Sequence, residues 1–569
     1  MRRTAPPVFQ SLAGYQRAWL SSDAVAGLTV WAVMVPEALA YATIAGVSPV
    51  VGLYAAVPAL ILYAAFGSSR HLVVGPMAAS AALSAAAVAG IAAESGTDFT
   101  ALTVGLALVT GVLALLAGLA RLGFLASFIS EPVLKGFIIG MALTIIIGQL
   151  PKLFGVPGGE GDFFEKAWDF AANLGETQGW TLAVGATSLV AVVGLRRVAP
   201  KVPGSLVAVL GGIVAVPLLD LESKGVEVVG SIQSGLPQMG LPDLAWPDYG
   251  TLVGSAVGIM LVAFAEGLGA AKTYASRDHY TIDVNRELVG LGAANIGAGL
   301  TSGMVVNGSL SKTAVNGSAG ARSQVSGLLV AVLTVLTLLF LTGLFENLPE
   351  ATLAAVVIAA VIELVDFAAL RRLYDVYTEQ LGEIYGPVAR ADLIAATAAL
   401  VGVLVFDTLP GLFIGIAVSV LLLVWRASRP HVAVLGRDAT TNRWVDIKRH
   451  PDAAPAAPVV VVRPESGLFY GNADNVHAAI RERITDVTRA VVIDAEVIPS
   501  IDVTAVAMLI DLRDELAARD VRLLIARDIG QVRDLLETAG ATPLAEHLYA
   551  SVDDAVAAAT GDPPRPEQE

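Results

Sequence analysis

The chain has 569 residues, of which 55% are hydrophobic and 15% are charged, and its mean hydropathy is +0.69. Soluble proteins have about a quarter of their residues charged, so this composition excludes an ordinary soluble enzyme and indicates an integral membrane protein in a lipid bilayer. The absence of cysteine excludes disulfides and thiolate metal ligands, and the net charge of −15 argues against a nucleic-acid partner.

Fourteen apolar segments follow a short N-terminal stretch, residues 1–23, that is predicted to be cytoplasmic. The first segment is longer than a signal-peptide core and has no cleavage pattern behind it, so it is interpreted as a spanning helix. The segments are predicted near residues 24–45, 50–66, 73–92, 101–119, 124–150, 179–196, 204–219, 251–272, 288–304, 309–320, 324–345, 351–366, 391–406 and 408–425. Together they define a predicted transport domain over residues 24–429.

The basic residues favour one set of alternate loops. Lys and Arg mark cytoplasmic loops, and this set includes Arg70, Arg121, Arg196, Arg322 and Arg426, whereas the opposite loops are mainly acidic. The bias predicts that both termini are cytoplasmic and that the protein lies in the cell membrane.

Beyond Pro430 the apolar runs shorten to strand length and charged residues return. The runs VVVVRPE, AVVIDAEV and VRLLIARD are predicted strands, and residues 473–486, 503–519 and 530–540 are predicted helices. Alternating strands and helices predict a small cytoplasmic α/β domain over residues 430–560. The tail, residues 561–569, is predicted to be disordered.

Two apolar segments are interrupted at matching places in two presumed halves, residues 24–220 and 251–425. Gly75-Pro76 opens the third segment and Asn307-Gly308-Ser309 opens the tenth. A repeat of seven segments forces the second half to enter the membrane from the other side, so the two breaks should meet near the midplane. Two helix N-termini facing one cavity would suit an anion, because both present unpaired N–H groups and positive dipole ends.

The residues around these breaks are Met77, Ala78 and Ala79 on one side and Leu310, Ser311 and Lys312 on the other. Their small side chains would let a solute reach the backbone. Small residues also permit close helix packing, and that alternative stays open.

Three ionisable residues lie deep within apolar segments, where charge is costly and is usually functional. They are Glu37, with Tyr41 one turn later, Glu266 and Lys312. Burial disfavours the charged form of a carboxyl group, so Glu37 and Glu266 are predicted proton carriers. Sodium is disfavoured because no hydroxyl or second carboxylate follows Glu266 by one turn. A structural ion pair between Glu266 and Lys312 is the alternative.

The stretch from Pro36 to Ala78, PEALAYATIAGVSPVVGLYAAVPALILYAAFGSSRHLVVGPMA, resembles the signature of the SulP anion transporter family, or solute carrier family 26. The segments 123–137, 283–300 and 308–324 are similar to further family motifs. The resemblance implies an α-helical membrane protein of 14 segments in a seven-plus-seven inverted repeat, with nucleobase-permease-like core and gate domains. It also implies alternating access by an elevator-like movement of the core.

The resemblance places the substrate between the third and tenth segments. The implied substrate-binding residues are Glu37, Tyr41, Met77, Ala78, Glu266, Ser309, Leu310, Ser311 and Lys312. Two of them depart from many relatives, which have Gln in place of Glu37 and Arg in place of Lys312. Glu37 would repel a divalent anion unless it is protonated, and Lys312 lacks the bidentate fork of arginine.

The soluble domain resembles STAS, the sulfate transporter and anti-sigma-factor antagonist fold, which implies a homodimer contact and a regulatory element. In regulatory relatives a phosphorylated serine follows the aspartate of a strand-to-helix turn. Here Val503 follows Asp502, so that switch is absent, and Thr504 has the nearest hydroxyl. A folding and trafficking aid is the alternative role.

These observations predict proton-coupled secondary uptake of an oxyanion, most favourably sulfate. A bicarbonate or dicarboxylate symporter or exchanger and an uncoupled chloride-type channel are the alternatives. A nucleobase permease and a sensor acting through the STAS domain are less well supported. No enzymatic constellation, cofactor motif or metal-ligand spacing occurs among the six histidines or elsewhere in the sequence.

Overall fold

The computed structural model describes the chain except residues 1–7, 125–128, 160, 200–201, 233, 376–389, 540, 542–543, 545–546 and 562–569. Nearly all of the tail predicted to be disordered, and the start of the N-terminal segment, therefore lie outside the described residues. The described chain forms two compact units. One holds the residues up to Tyr374 and from Asp392 to Ser419, and the other holds those from Val420 onward together with the described residues of 375–391.

The first unit is helical, with two short strands, and its last helix runs into the second unit. Its elements are α1 (Leu20–Ile44), α2 (Pro49–Phe66), β1 (Val73–Gly75), α3 (Ala78–Ser95), α4 (Phe99–Leu119), α5 (Glu131–Phe154), α6 (Phe163–Ala172), α7 (Gly179–Val198), α8 (Gly204–Leu219), α9 (Trp246–Arg277), α10 (Val284–Leu300), β2 (Asn307–Ser309), α11 (Leu310–Ser318), α12 (Val325–Phe340), α13 (Glu350–Val361), α14 (Phe367–Asp375), α15 (Ala391–Phe406) and α16 (Thr408–Ser428).

Eight of the described helices, α1 to α5, α7, α9 and α16, are long and apolar enough to cross a membrane. Four shorter apolar helices accompany them, α8, α12, α13 and α15. The chain is thus a helical membrane protein with many spans, as its composition predicts.

Two of the predicted segments differ from simple helices. The third and tenth segments each begin with a three-residue strand, and their helices start only at Ala78 and Leu310. Pro76 has no N–H to donate, so a continuous helix would be broken at that point. A short helix, α6, was not predicted because its ten residues carry charges and are too few to span.

Glycines bring the backbones of α4 and α10 into close contact. A Cβ atom added at Gly111 would lie 2.5 Å from the backbone nitrogen of Ile296, and one added at Gly292 would lie 2.5 Å from that of Leu115. These positions therefore accept only glycine without displacing the facing backbone, and the two helices stand as a close pair beside α9 and α2.

The second unit contains a mixed sheet with helices. Its elements are β3 (Val432–Arg437), β4 (Trp444–Asp446), β5 (Ala454–Pro455), β6 (Val459–Pro464), α17 (Ala473–Arg481), β7 (Ala490–Asp494), α18 (Val503–Ala517), β8 (Arg522–Ala526), α19 (Gly530–Thr538), β9 (Leu548–Tyr549) and α20 (Val552–Thr560). The strand order is β4-β3-β6-β7-β8-β9, with β5 beside β3. Strands β6 to β9 are parallel, and β3 is antiparallel to β6.

The three strands and three helices predicted for this unit are confirmed, at β6, β7 and β8 and at α17, α18 and α19. The short strands β3, β4, β5 and β9 and the helix α20 were not predicted, because their apolar runs are too brief to stand out. Both sheet faces are covered by apolar side chains. At the start of α18 the Asp502 carboxylate accepts the N–H groups of Ala505 and Tyr470, each at 2.8 Å, and Val503 and Thr504 are exposed.

Candidate substrate site

The two breaks in the apolar segments lie side by side. Strands β1 and β2 pair antiparallel, with Val73 opposite Ser309 and Gly75 opposite Asn307. All residues of both strands are buried. Helix α3 leaves one end of this two-stranded ribbon and α11 leaves the other, so both helix N-termini flank a ribbon about 10 Å long. The prediction that the two breaks meet is confirmed by this pairing.

The two helix N-termini differ in how their N–H groups are satisfied. At α11 the hydroxyl of Ser309 accepts the N–H of Lys312 at 3.2 Å and lies 3.2 Å from the hydroxyl of Ser311. At α3 the N-cap residue Met77 makes no side-chain cap, so the first N–H groups of that helix have no side-chain acceptor. An anion placed there would accept N–H groups that the helix leaves free.

Lys312 supplies the positive charge of the site, and it is almost completely buried, with 1% of its side chain exposed. Its Nζ donates to Glu37 Oε2 at 2.9 Å and to the carbonyl oxygen of Pro76 at 3.1 Å. It also lies 4.9 Å from the ring centroid of Tyr41. The cation is therefore already neutralised by a carboxylate of α1, and the predicted cluster of Glu37, Tyr41 and Lys312 is brought together.

Glu266 bonds to an asparagine rather than to Lys312. An ion pair between Glu266 and Lys312 was the structural alternative, and it is wrong, because Lys312 reaches Glu37 instead. Glu266 Oε2 accepts a hydrogen bond from Asn307 Nδ2 at 2.7 Å, and Asn307 Oδ1 accepts the N–H of Gly308 at 2.6 Å. The Glu266 carboxyl is thus anchored to the ribbon and makes no ion pair with that lysine.

Helix α9 can hold Glu266 at the ribbon because glycines meet at the contact. A Cβ atom added at Gly308 would lie 2.8 Å from the Cα atom of Gly267. Any larger residue at Gly308 would push α9 away from β2 and lengthen the bond between Glu266 and Asn307. The glycine-rich sequence around Glu266 therefore has a packing reason.

The predicted site residues divide into those that are buried and those that a solute can reach. Glu37, Tyr41, Ala78, Ser309 and Lys312 are buried, and Glu266 is partly exposed. Leu310 is 55% exposed, Ser311 is exposed and Met77 is partly exposed. A solute approaching the helix N-termini would meet these last three side chains first.

Sequence reasoning missed several polar groups that build the site. Asn307 was recognised only as part of a break, and the carbonyl of Pro76 carries no signal in the sequence. Thr313 accepts the N–H of Val73 at 3.0 Å, and Asn295 exchanges two hydrogen bonds with the backbone of Val306, at 2.9 and 3.0 Å. A polar side chain inside an apolar run was the available signal for Thr313 and Asn295.

A further buried carboxylate, Glu287 of α10, holds the chain that leads into β1. Its oxygens accept the hydroxyl of Tyr63 at 2.6 Å, the N–H and hydroxyl of Ser68 at 2.9 and 2.7 Å, and the N–H of Ser69 at 3.0 Å. These bonds satisfy both oxygens, so Glu287 positions the ribbon rather than facing a solute. Among the residues that the structure describes, no group of three or more metal-ligating side chains is found.

Comparison with known proteins gives matches along nearly the whole chain. Residues 20–381 match the model of the sulfate permease family and residues 446–555 match that of the STAS domain. The chain is 36% identical, over 562 residues, to a protein of Mycobacterium tuberculosis named probable sulfate transporter, covering 97% of this chain and 98% of the relative.

Two solved structures share its fold. The murine Solute Carrier 26 family member A9 anion transporter, in the inward-facing state, superposes with a TM-score of 0.85 at 22% identity, covering 97% of this chain and 93% of that chain. The transmembrane domain of the cyanobacterial bicarbonate transporter BicA superposes with a TM-score of 0.59 at 21% identity, covering 71% of this chain and 98% of that chain.

Proposed function

The chain belongs to the sulfate permease family of membrane transporters, with a C-terminal STAS domain, and we propose that it takes up sulfate together with protons. A transporter family is not an enzyme family, so the site binds and releases its solute unchanged. The observation that carries the proposal is the Lys312–Glu37 pair beside two helix N-termini.

Sulfate suits this site on electrostatic grounds. The free N–H groups at the start of α3 and the Lys312 ammonium would both donate to an oxyanion. Ala78 presents no bulky side chain at that helix start, so an oxygen atom can approach the backbone. Ser309 and Ser311 supply hydroxyl groups at the start of α11, and Tyr41 closes the site behind Lys312.

Protons enter through Glu37 in this proposal. While Glu37 is charged, it forms an ion pair with the ammonium group of Lys312, which leaves little positive charge for a divalent anion. Binding a proton to Glu37 removes the competing carboxylate, so Lys312 becomes available to sulfate. The proton and the anion therefore favour each other's binding, which is the thermodynamic requirement for symport. Glu266, held by Asn307, is the second proposed proton carrier.

The architecture proposed around this site is the seven-plus-seven inverted repeat, with residues 24–220 and 251–425 as the two halves. The transport domain spans residues 24–429 and the STAS domain spans residues 430–560, with both termini cytoplasmic. The pairing of β1 with β2 supports equivalent positions for the two broken segments. The core would move as an elevator past the gate, and the protein would work as a homodimer.

Uptake by purified protein in proteoliposomes tests the proposal. Labelled sulfate should accumulate when the outside is more acidic than the inside, and a proton ionophore should abolish the accumulation. Bicarbonate and fumarate are measured in parallel, because either would identify the alternative substrates. Equal sulfate uptake with and without the pH gradient would refute proton coupling. A current that survives replacement of both Glu37 and Glu266 by glutamine would identify a channel.

A further inference from the structure

A cavity of about 300 Å³ lies where the end of α1 and the turn that follows it face α5 and the start of α13. Thr43 lines it from the end of α1, Val47 from the turn that follows, Gln149 and Lys152 from α5, and Glu350 from α13. A larger cavity of about 530 Å³ adjoins it, and Lys152 and Glu350 line both. The charge bias of the loops places this end of α5 on the outer side of the membrane.

Lys152 is the only lysine or arginine that lines either cavity among the described residues. Its Nζ lies 3.2 Å from Glu350 Oε2, and the two side chains are 39% and 35% exposed. Solutes can therefore reach this ion pair. It repeats, in the lining of this cavity, the arrangement of the central site, in which Lys312 is held by Glu37.

The side-chain amide of Gln149 is buried and incompletely hydrogen-bonded. Gln149 is 7% exposed and its Oε1 has no hydrogen-bond partner. It precedes Lys152 by three residues on α5, so both side chains lie on the same face of the helix. Rotation of the amide presents its NH₂ group in place of the oxygen. A buried polar group without a partner at the edge of a cavity is suited to a ligand.

We propose that the smaller cavity is an outer receiving site for the oxyanion that the central site transports. The Lys152 ammonium and the Gln149 amide bind the anion once Glu350 releases the lysine. Glu350 is the only acidic residue among the described lining of this cavity, whereas Glu176 and Glu227 line the larger one and repel an anion there. The inference rests on the proposed uptake of an anion from outside.

Because the sequence contains no cysteine, a single introduced cysteine is the only thiol of this protein that a reagent can label. Val229, in the wall of the smaller cavity, is changed to cysteine and labelled in intact cells with a membrane-impermeant methanethiosulfonate. Sulfate, replaced by gluconate in the control, should slow the labelling of V229C. The exposed Ser223→Cys should be labelled at a rate independent of sulfate.

Substitutions in the V229C background identify the binding groups. Lys152→Gln should raise the sulfate concentration that gives half-protection about tenfold, because one charge-assisted hydrogen bond is lost, and Lys152→Arg should restore protection. Glu350→Gln should lower that concentration, because the competing carboxylate is gone. Protection that is unchanged by Lys152→Gln, or labelling that needs permeabilised cells, would overturn the proposal.

The variant Lys312→Gln distinguishes sulfate binding at this site from sulfate binding at the central one. Protection of V229C should persist in that variant, because the outer site binds the anion by itself. If protection disappears with Lys312, the effect of sulfate originates at the central site and the outer site is refuted. If V229C with Lys312 in place is protected by sulfate while its proteoliposomes show no sulfate uptake, the outer site stands and the proposed transport function fails.

Discussion

Replacing Lys312 by methionine tests the central ion pair most directly, because methionine keeps the length of the side chain and removes its charge. In the structure the Lys312 ammonium bonds to Glu37 Oε2 at 2.9 Å and to the Pro76 carbonyl at 3.1 Å. The variant would leave a carboxylate with 8% of its side chain exposed and no cation beside it. Both the stability of the transporter and its affinity for sulfate should therefore fall.

The size of the stability loss follows from burial. Removing one partner of a buried ion pair costs about 3–5 kcal/mol, because the remaining charge is left unpaired away from water. Replacing both partners, as in Glu37→Gln with Lys312→Met, leaves no unpaired charge, so the double variant should lose much less than the two single losses added together. Sulfate affinity should not return, because the double variant still lacks the ammonium.

Unfolding followed by tryptophan fluorescence, with and without sulfate, measures both effects in the purified full chain. The matched control is Lys135→Met, which breaks the Lys135–Glu131 pair of 2.6 Å, whose side chains are 39% and 77% exposed. An exposed pair contributes about 0–1 kcal/mol, so this variant should stay close to the unchanged protein. Strictly additive losses in the double variant, or a stabilisation by sulfate that is as large in Lys312→Met as in the unchanged protein, would refute the reasoning.

Three further substitutions address coupling and packing. Glu37→Gln should abolish uptake driven by a pH gradient and leave sulfate exchange intact, because the amide cannot carry a proton; an unchanged pH dependence would count against Glu37. Gly308→Ala should lower the uptake rate and cost about 1–3 kcal/mol of stability, because its methyl group would meet Gly267. Gly269→Ala has no neighbour within 4 Å, so it should leave the uptake rate unchanged and stabilise α9 by up to about 1 kcal/mol. Glu287→Gln should lower the free energy of unfolding by about 1.5–3 kcal/mol, because the charged acceptor of four hydrogen bonds is lost. A smaller decrease would show that the amide can replace the carboxylate.

The membrane character of the chain and the position of its two breaks could be read from the sequence. Length and continuity of apolar runs suffice to identify spanning helices, because a bilayer imposes a minimum apolar length on each span. Gly75-Pro76 and Asn307-Gly308-Ser309 stood out because backbone breaks are costly in lipid. Glu37, Glu266 and Lys312 stood out for the same reason, since charge at that depth needs a partner.

The partners of those charged residues could not be read in the same way. The sequence left open an ion pair between Lys312 and Glu266 as one alternative, yet the structure pairs Lys312 with Glu37, which is 275 residues away in the sequence. Helix α6 was missed because amphipathic helices of ten residues give a weak signal. The smaller cavity, proposed as a receiving site, depends on Lys152 and Glu350, which are brought together only when α5 packs against α13.

The sequence by itself determined that this chain is a membrane protein of many spans with a small α/β domain, because local composition decides which segments enter lipid and which remain in water. Its motifs, by their resemblance to the SulP family, indicated a transporter. Only the tertiary structure decided which carboxylate neutralises Lys312 and which side chain holds Glu266. Those choices depend on side-chain direction and on approaches of a few ångströms, such as the contact of Gly267 with Gly308. Contacts of that kind arise between distant segments and leave no periodic pattern along the chain.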